Sequence, residues 1–173
     1  QPHREREILT FPRQNTPINT TSLGVTQMRQ IFGGPANSNT GRSTGAHAPL
    51  LVLIVEDNQV NQQILAHYLT NFGVGFEIVS NGLAAVEAVR SGRFSLILMD
   101  IQMPVMDGVA ATYAIRSLPG PESMTPIFAV TAHCGPEQDA AYIRAGMNGV
   151  IAKPVPAAHL HRALSSVGQK ASA

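Results

Sequence analysis

Four short stretches carry residues that could work together on an anionic group. They are "VEDN" at 55–58 with Glu56 and Asp57, "LMDI" at 98–101 with Asp100, "VTAH" at 130–133 with Thr131, and "AKPV" at 152–155 with Lys153. Carboxylates brought close together repel, and each then favours its protonated form. A hard divalent cation removes that penalty. Mg²⁺ takes one or two carboxylates, a carbonyl, and waters or phosphate oxygens. A lysine beside such a cluster reads as the counter-charge for an anionic ligand, and a threonine hydroxyl as a hydrogen-bond donor to it. This set suits phosphoryl transfer onto a carboxylate, where positioning and charge neutralisation do most of the work.

Taken singly, each residue also has an everyday reading. Asp100 could cap a turn or helix, and Asp57 or Asn58 could cap the helix that follows the first acidic pair. Glu56 and Asp57 could be solvated loop acids. Thr131 could make a local bond to its own backbone, and Lys153 could be a snorkelling surface lysine. What weakens these readings jointly is where the chain pattern puts the four positions.

From Leu50 onward apolar runs alternate with helical spacing. The strands expected are Leu50–Val55, Phe76–Val79, Leu96–Met99, Pro126–Val130 and Val150–Ala152. Leu50–Val55 lacks polar alternation, as in a parallel strand covered on both faces. The helices expected are Asn61–Asn71, Leu83–Arg90, Gly108–Leu118, Pro136–Ala145 and Pro156–Val167, several of them stopped by glycine or proline. Five βα units predict an α/β fold, a parallel sheet with helices on both faces and right-handed crossovers. Ligands of such sheets bind outside the carboxyl ends of the strands. Glu56 and Asp57 follow the first strand, Asp100 the third, Thr131 the fourth and Lys153 the fifth, so all four motifs converge on one rim. Ser80-Asn81-Gly82, after the second strand, reads as a turn.

The composition sets the wider bounds. The 173 residues allow one domain and a tail, and 44 % hydrophobic content suits a globular core. The formal charge of +1 predicts neither a strong nucleic-acid field nor membrane attraction. Cys134 is the single cysteine, so no internal disulfide forms and a reducing compartment, the cytoplasm, is expected. No apolar stretch approaches the ~18 residues that span a bilayer. Residues 1–49 are rich in Asn, Thr, Ser, Gly and Pro and read as a largely disordered polar linker. They hold five arginines against two glutamates, a formal +3, which leaves −2 for the remainder. Within them 22–32 has Leu23, Met28 and Ile31 at rough helical spacing. The folded unit expected is 50–168, with a tail at 169–173. A start at Gln1 rather than methionine reads as a piece of a longer protein.

With these motifs in order, "VLIVEDNQVNQQI", "LILMDIQMPVMDG", "IFAVTA" and "IAKPV", the chain resembles the receiver domain of two-component response regulators over about Leu50 to Val167. The resemblance implies a flavodoxin-like, doubly wound five-stranded parallel sheet of order 2-1-3-4-5 with five helices. It implies that Asp100 is the phosphoacceptor and also a Mg²⁺ ligand, Asp57 a direct Mg²⁺ ligand, Glu56 a ligand often acting through water, and the Gln102 carbonyl a further ligand. Thr131 then matches the switch hydroxyl and Lys153 the phosphate-binding lysine, with a cis Lys153–Pro154 peptide. Gln102 and His133 match the positions that tune phosphoryl lifetime. Val150 is a departure, because the family often has Tyr or Phe there, and the usual aromatic–hydroxyl coupling cannot operate in that form.

The wording "VEDNxVN" and "DIQMPVMDG" looks most like receivers at the carboxyl end of hybrid sensor histidine kinases. The implied partners are a histidine kinase domain, in cis or trans, and a histidine phosphotransfer protein, with no direct nucleic-acid or membrane contact by this segment. A stand-alone response regulator is the alternative within the family. From another class, a haloacid-dehalogenase-like phosphatase would need an acid two residues after its nucleophile, where this chain has Gln102. The remaining histidines, His67, His159 and His161, lack metal-ligand partners in the sequence and read as structural, as does Cys134.

Overall fold

The computed structural model describes residues 49–168. The expected linker over 1–49 (Pro49 apart), the helically spaced stretch 22–32 and the tail 169–173 lie outside the described residues. Five strands form one parallel sheet: β1 (Leu51–Val55), β2 (Gly75–Val79), β3 (Leu96–Asp100), β4 (Ile127–Thr131) and β5 (Gly149–Ala152). Their order is β2-β1-β3-β4-β5. Five α-helices connect them: α1 (Gln59–Asn71), α2 (Gly82–Val89), α3 (Gly108–Arg116), α4 (Pro136–Arg144) and α5 (Ala157–Gly168). The order and element count match the expectation.

Alternate residues of the strands face opposite sides and build two cores. Val52, Ile54, Leu96, Leu98, Phe128, Val130 and Ile151 pack with Leu65 and Leu69 of α1 and Leu160 and Leu164 of α5. Leu53, Val55, Ile97, Met99, Ile127 and Ala129 pack with Ala85 and Val86 of α2, Ala111 and Ile115 of α3, and Tyr142 of α4. Every residue of β3 and β4 is buried, because each has a helical layer above and below it. This explains the unbroken apolar runs in the sequence.

The boundaries differ from the expected ones by a residue or two, and the reasons are local. Helix α1 starts two residues early because the Asn58 side chain accepts from the N–H groups of Val60 and Asn61 at 2.9 and 3.2 Å. The capping choice between Asp57 and Asn58 thus goes to Asn58, which leaves the Asp57 carboxylate uncommitted to the helix. Asn81 caps α2 and Asp107 caps α3 in the same way. After α1 the chain turns at Gly73 with φ 70°, a conformation that glycine adopts without strain. A 3-10 turn, Pro121–Met124, was not expected from the sequence. It is a single turn in a stretch that reads as loop, started by a proline and closed by Ser123 Oγ donating to the Gly120 carbonyl at 2.8 Å.

Candidate functional site

The register of the sheet builds the site. Val55 pairs with Met99, so Glu56, one residue past β1, comes level with Asp100 at the end of β3. Thr131 ends β4 opposite Ala152, and Lys153 follows directly. The loop after β3 is pulled back under Asp100. The Gly108 N–H donates to the Ile101 carbonyl at 3.0 Å, and a side chain at Gly108 would strike the Asp100 carbonyl. Glycine is therefore required where α3 begins, because the helix start touches the backbone of the acid itself. In the same loop Val105 has φ 71° and is 80 % exposed, an uncommon conformation for a β-branched residue.

Asp100 and Glu56 are almost fully buried. Two buried carboxylates side by side need compensation, and Lys153 supplies it. Its Nζ lies 2.7 Å from Glu56 Oε2 and 2.9 Å from Asp100 Oδ2. Burial pulls the lysine's pKa down, but the hydrogen bonds and charges of Glu56 and Asp100 outweigh it and raise the value above the ordinary one. Lys153 is thus held protonated. Glu56 is fixed further by the Asn61 side-chain amide, which donates to Oε1 at 3.0 Å, and the Gln62 side chain, which donates to the Glu56 carbonyl at 2.7 Å. The N–H of Gln102 donates to Asp100 Oδ1 at 3.3 Å, the turn bond that the everyday reading of Asp100 anticipated. The turn bond and the charge cluster therefore coexist.

Glu56, Asp57 and Asp100 each present a carboxylate oxygen within 4.8 Å of the others. Asp57 is exposed, at the mouth of this cluster. Among the described residues, Glu56 Oε2 is a buried oxygen that no hydrogen-bond donor meets at good angle; Lys153 approaches it as an ion pair. An all-oxygen set with one exposed and two buried carboxylates fits a hard cation such as Mg²⁺. A pocket of about 550 Å³ opens beside the cluster, lined by Asp57, Gln102, Met103, Pro104 and Asp107 among others.

The other expected residues take separate places. Thr131 is buried, and its Oγ1 accepts from the His133 N–H at 3.1 Å. Gln102 and His133 are exposed on the loops that flank the cluster. Val150 is half-buried and packs on the core shared by α2, α3 and α4. The Lys153–Pro154 peptide is cis, as expected. Sequence reading missed the supporting amides of Asn61 and Gln62. Asn61 lies inside the "VEDNQVN" motif, and its spacing of five from Glu56 on a capped helix start could have found it.

The comparisons with known proteins agree with this geometry. A family model described as response regulator receiver domain matches residues 52–165. Transcription factor SKN7 of Saccharomyces cerevisiae is 38 % identical over 113 residues, covering 65 % of this chain and 18 % of its own length. Signal transduction histidine-protein kinase BarA of Escherichia coli is 39 % identical over 115 residues, covering 66 % of this chain and 12 % of its own. The chain thus spans less than a fifth of the length of these relatives. Among solved structures, the receiver domain of sensor histidine kinase PA1611 of Pseudomonas aeruginosa, with magnesium coordinated in its active-site cleft, has a TM-score of 0.65 and 36 % identity, covering 70 % of this chain and 99 % of that one. The receiver domain of Ssk1, solved with the histidine phosphotransfer protein Ypd1 of S. cerevisiae, has a TM-score of 0.63 and 31 % identity, covering 69 % and 88 %. Among the described residues, no helix is long and apolar enough to cross a membrane.

Proposed function

This chain belongs to the response regulator receiver domain family, and we propose that it accepts a phosphoryl group on Asp100 in a Mg²⁺-dependent step of a two-component phosphorelay. The observation that carries the reading is the shared ammonium. Lys153 sits between Glu56 and Asp100, on the acid that would be modified and on its neighbour. In the transfer, the N–P bond of a phosphohistidine breaks, its electron pair stays on the imidazole, and an O–P bond forms at an Asp100 carboxylate oxygen. Lys153, already at Asp100 Oδ2, swings a short distance to the incoming oxygens. The Thr131 hydroxyl donates to another of them. Glu56, Asp57 and Asp100, with the Gln102 carbonyl, would hold the metal, which when bound would neutralise charge on the transferring group. Gln102 and His133 flank the acyl phosphate and set how readily water reaches it.

Acetyl phosphate with Mg²⁺ tests the reading. Mass spectrometry should show one added phosphoryl group, and Asp100→Asn should show none. Continuous release of phosphate from many esters would instead support the phosphatase reading, which Gln102 already disfavours.

For the parent protein, we propose the carboxyl-terminal receiver of a hybrid sensor histidine kinase in the cytoplasm, fed by a kinase domain and relaying to a histidine phosphotransfer protein. The likeness to BarA supports this. The nearly equal likeness to SKN7 supports a second reading, a receiver that controls a transcription factor. A stand-alone regulator is the third. The coding sequence on both sides of the chain decides: an upstream kinase core sustains the first reading, and a DNA-binding domain replaces it with the second.

A further inference from the structure

Tyr142 lies in the middle of α4 and is 8 % exposed, with its ring in the core on the α2–α4 side of the sheet. Its hydroxyl donates to the backbone carbonyl of His133 at 3.2 Å. The N–H of that same residue donates to Thr131 Oγ1 at 3.1 Å. A continuous path of two hydrogen bonds and one residue therefore runs from the rim hydroxyl to the middle of α4. Cys134 adds a third tie, its thiol donating to the Thr131 carbonyl at 3.3 Å.

Two features set this path apart from simple core filling. A phenylalanine would fill the same volume, so packing alone does not call for the hydroxyl; a buried tyrosine hydroxyl seeks a specific partner. Thr131 shares its strand face with Ile127 and Ala129, the face that packs on Tyr142 and on Val150. Valine is small, has no polar atom and is stiff at χ1, so it cannot take part in a hydrogen-bonded relay itself.

We propose that Tyr142 is the positioning residue that couples Thr131 to α4, so that modification of Asp100 is read out as a shift of that helix. The proposal rests on the phosphoacceptor reading of Asp100. When Thr131 turns its hydroxyl toward a phosphoryl oxygen, the His133 amide must follow it or lose its acceptor. Either way the His133 carbonyl moves relative to α4. The tyrosine bond is already long for O–H···O, so it either breaks or draws the helix along. The two arrangements are discrete, and the phosphoryl group shifts their populations.

The test compares amide hydrogen exchange of the whole chain, with and without beryllium fluoride and Mg²⁺, in the wild type and in Tyr142→Phe. Phosphorylation by acetyl phosphate is measured in parallel. The variant should take one phosphoryl group at the wild-type rate and should keep the exchange change over 100–108. It should lose the change over 136–144, while Tyr113→Phe, an exposed hydroxyl on α3, keeps both. A full α4 response in Tyr142→Phe overturns the proposal, as does a phosphorylated wild type whose α4 does not respond. Absence of any phosphoryl group on the wild type is a different failure: it removes the Asp100 reading, and the coupling falls with it.

Discussion

Each end of the sheet is organised around one long cation, and the two ends use it in opposite ways. At the carboxyl end Lys153 faces charges, the Glu56 and Asp100 carboxylates at 2.7 and 2.9 Å. At the amino end Arg116, from the last turn of α3, faces neutral oxygens. It donates to the carbonyls of Gly146, Ser123 and Thr125 at 2.9, 2.7 and 2.8 Å and to the Asn148 side-chain oxygen at 3.1 Å. Asn148 in turn accepts from the Ile127 N–H at 3.0 Å, so the start of β4, the 3-10 turn and the approach to β5 are tied into one joint. Carbonyls keep their charge through any chemistry the protein performs, and the guanidinium's fixed fork suits several of them at once. Carboxylates can bind a metal, take a phosphoryl group or exchange partners, and a flexible ammonium can move with them. The arginine end is made to stay as it is, and the lysine end is made to change.

The sharpest way to break this contrast is Asp100→Asn. Phosphoryl incorporation from acetyl phosphate should fall to background. The denaturant midpoint should correspond to less than about 1 kcal/mol of change, since the lost ion pair and the relieved repulsion with Glu56 oppose each other. A large stability loss would show that the rim, too, is structural. Next in size, Arg116→Met should cost about 2–4 kcal/mol in urea unfolding, because several part-buried oxygens lose their donor together. Its phosphorylation rate per folded molecule should match the wild type. An altered rate would mean that the two ends are not separable.

The metal gives the third test. Mg²⁺ at ten times its Kd should stabilise the wild type by about 1.4 kcal/mol through mass action. Thermal shift should show the same gain in Arg116→Met and none in Asp57→Asn. The smallest effect belongs to Val105→Gly. Relief of the left-handed backbone, about 1–2 kcal/mol, is partly offset by the entropy glycine adds to the unfolded chain, leaving a net gain of about 0.5 kcal/mol. A loss instead would show that the valine side chain stabilises the rim loop by contacts its 80 % exposure does not suggest.

The contrast also marks where the sequence was readable. The rim was legible because its residues are chemically unlike the apolar runs they terminate: Asp100 ends "LILMD" and Lys153 follows "GVIA". The covered parallel sheet was legible because apolar strands such as "LLVLIV" demand cover on both faces, whereas its strand order came only with the resemblance to the receiver family. Arg116 was not, since its partners are backbone carbonyls and no residue type announces them. Tyr142 was hidden in a different way. Its position fits the apolar spacing of α4, and nothing in that spacing reveals a hydroxyl that reaches the loop after β4. The choice between Asp57 and Asn58 as cap was open in the sequence because both side chains suit the position. Backbone geometry closed it in favour of Asn58, and so left the aspartate available to the cluster.

The pleat of the sheet has one further consequence. Asp100 continues the row of Leu96 and Leu98, on the side of α1 and α5, whereas Thr131 continues the row of Ile127 and Ala129, on the side of α2, α3 and α4. The strand rows that end in Asp100 and in Thr131 therefore line different cores, and the two side chains come together only at the rim, where those rows run out. Substitutions in one core can thus shift one of the two groups against the other without touching the second core.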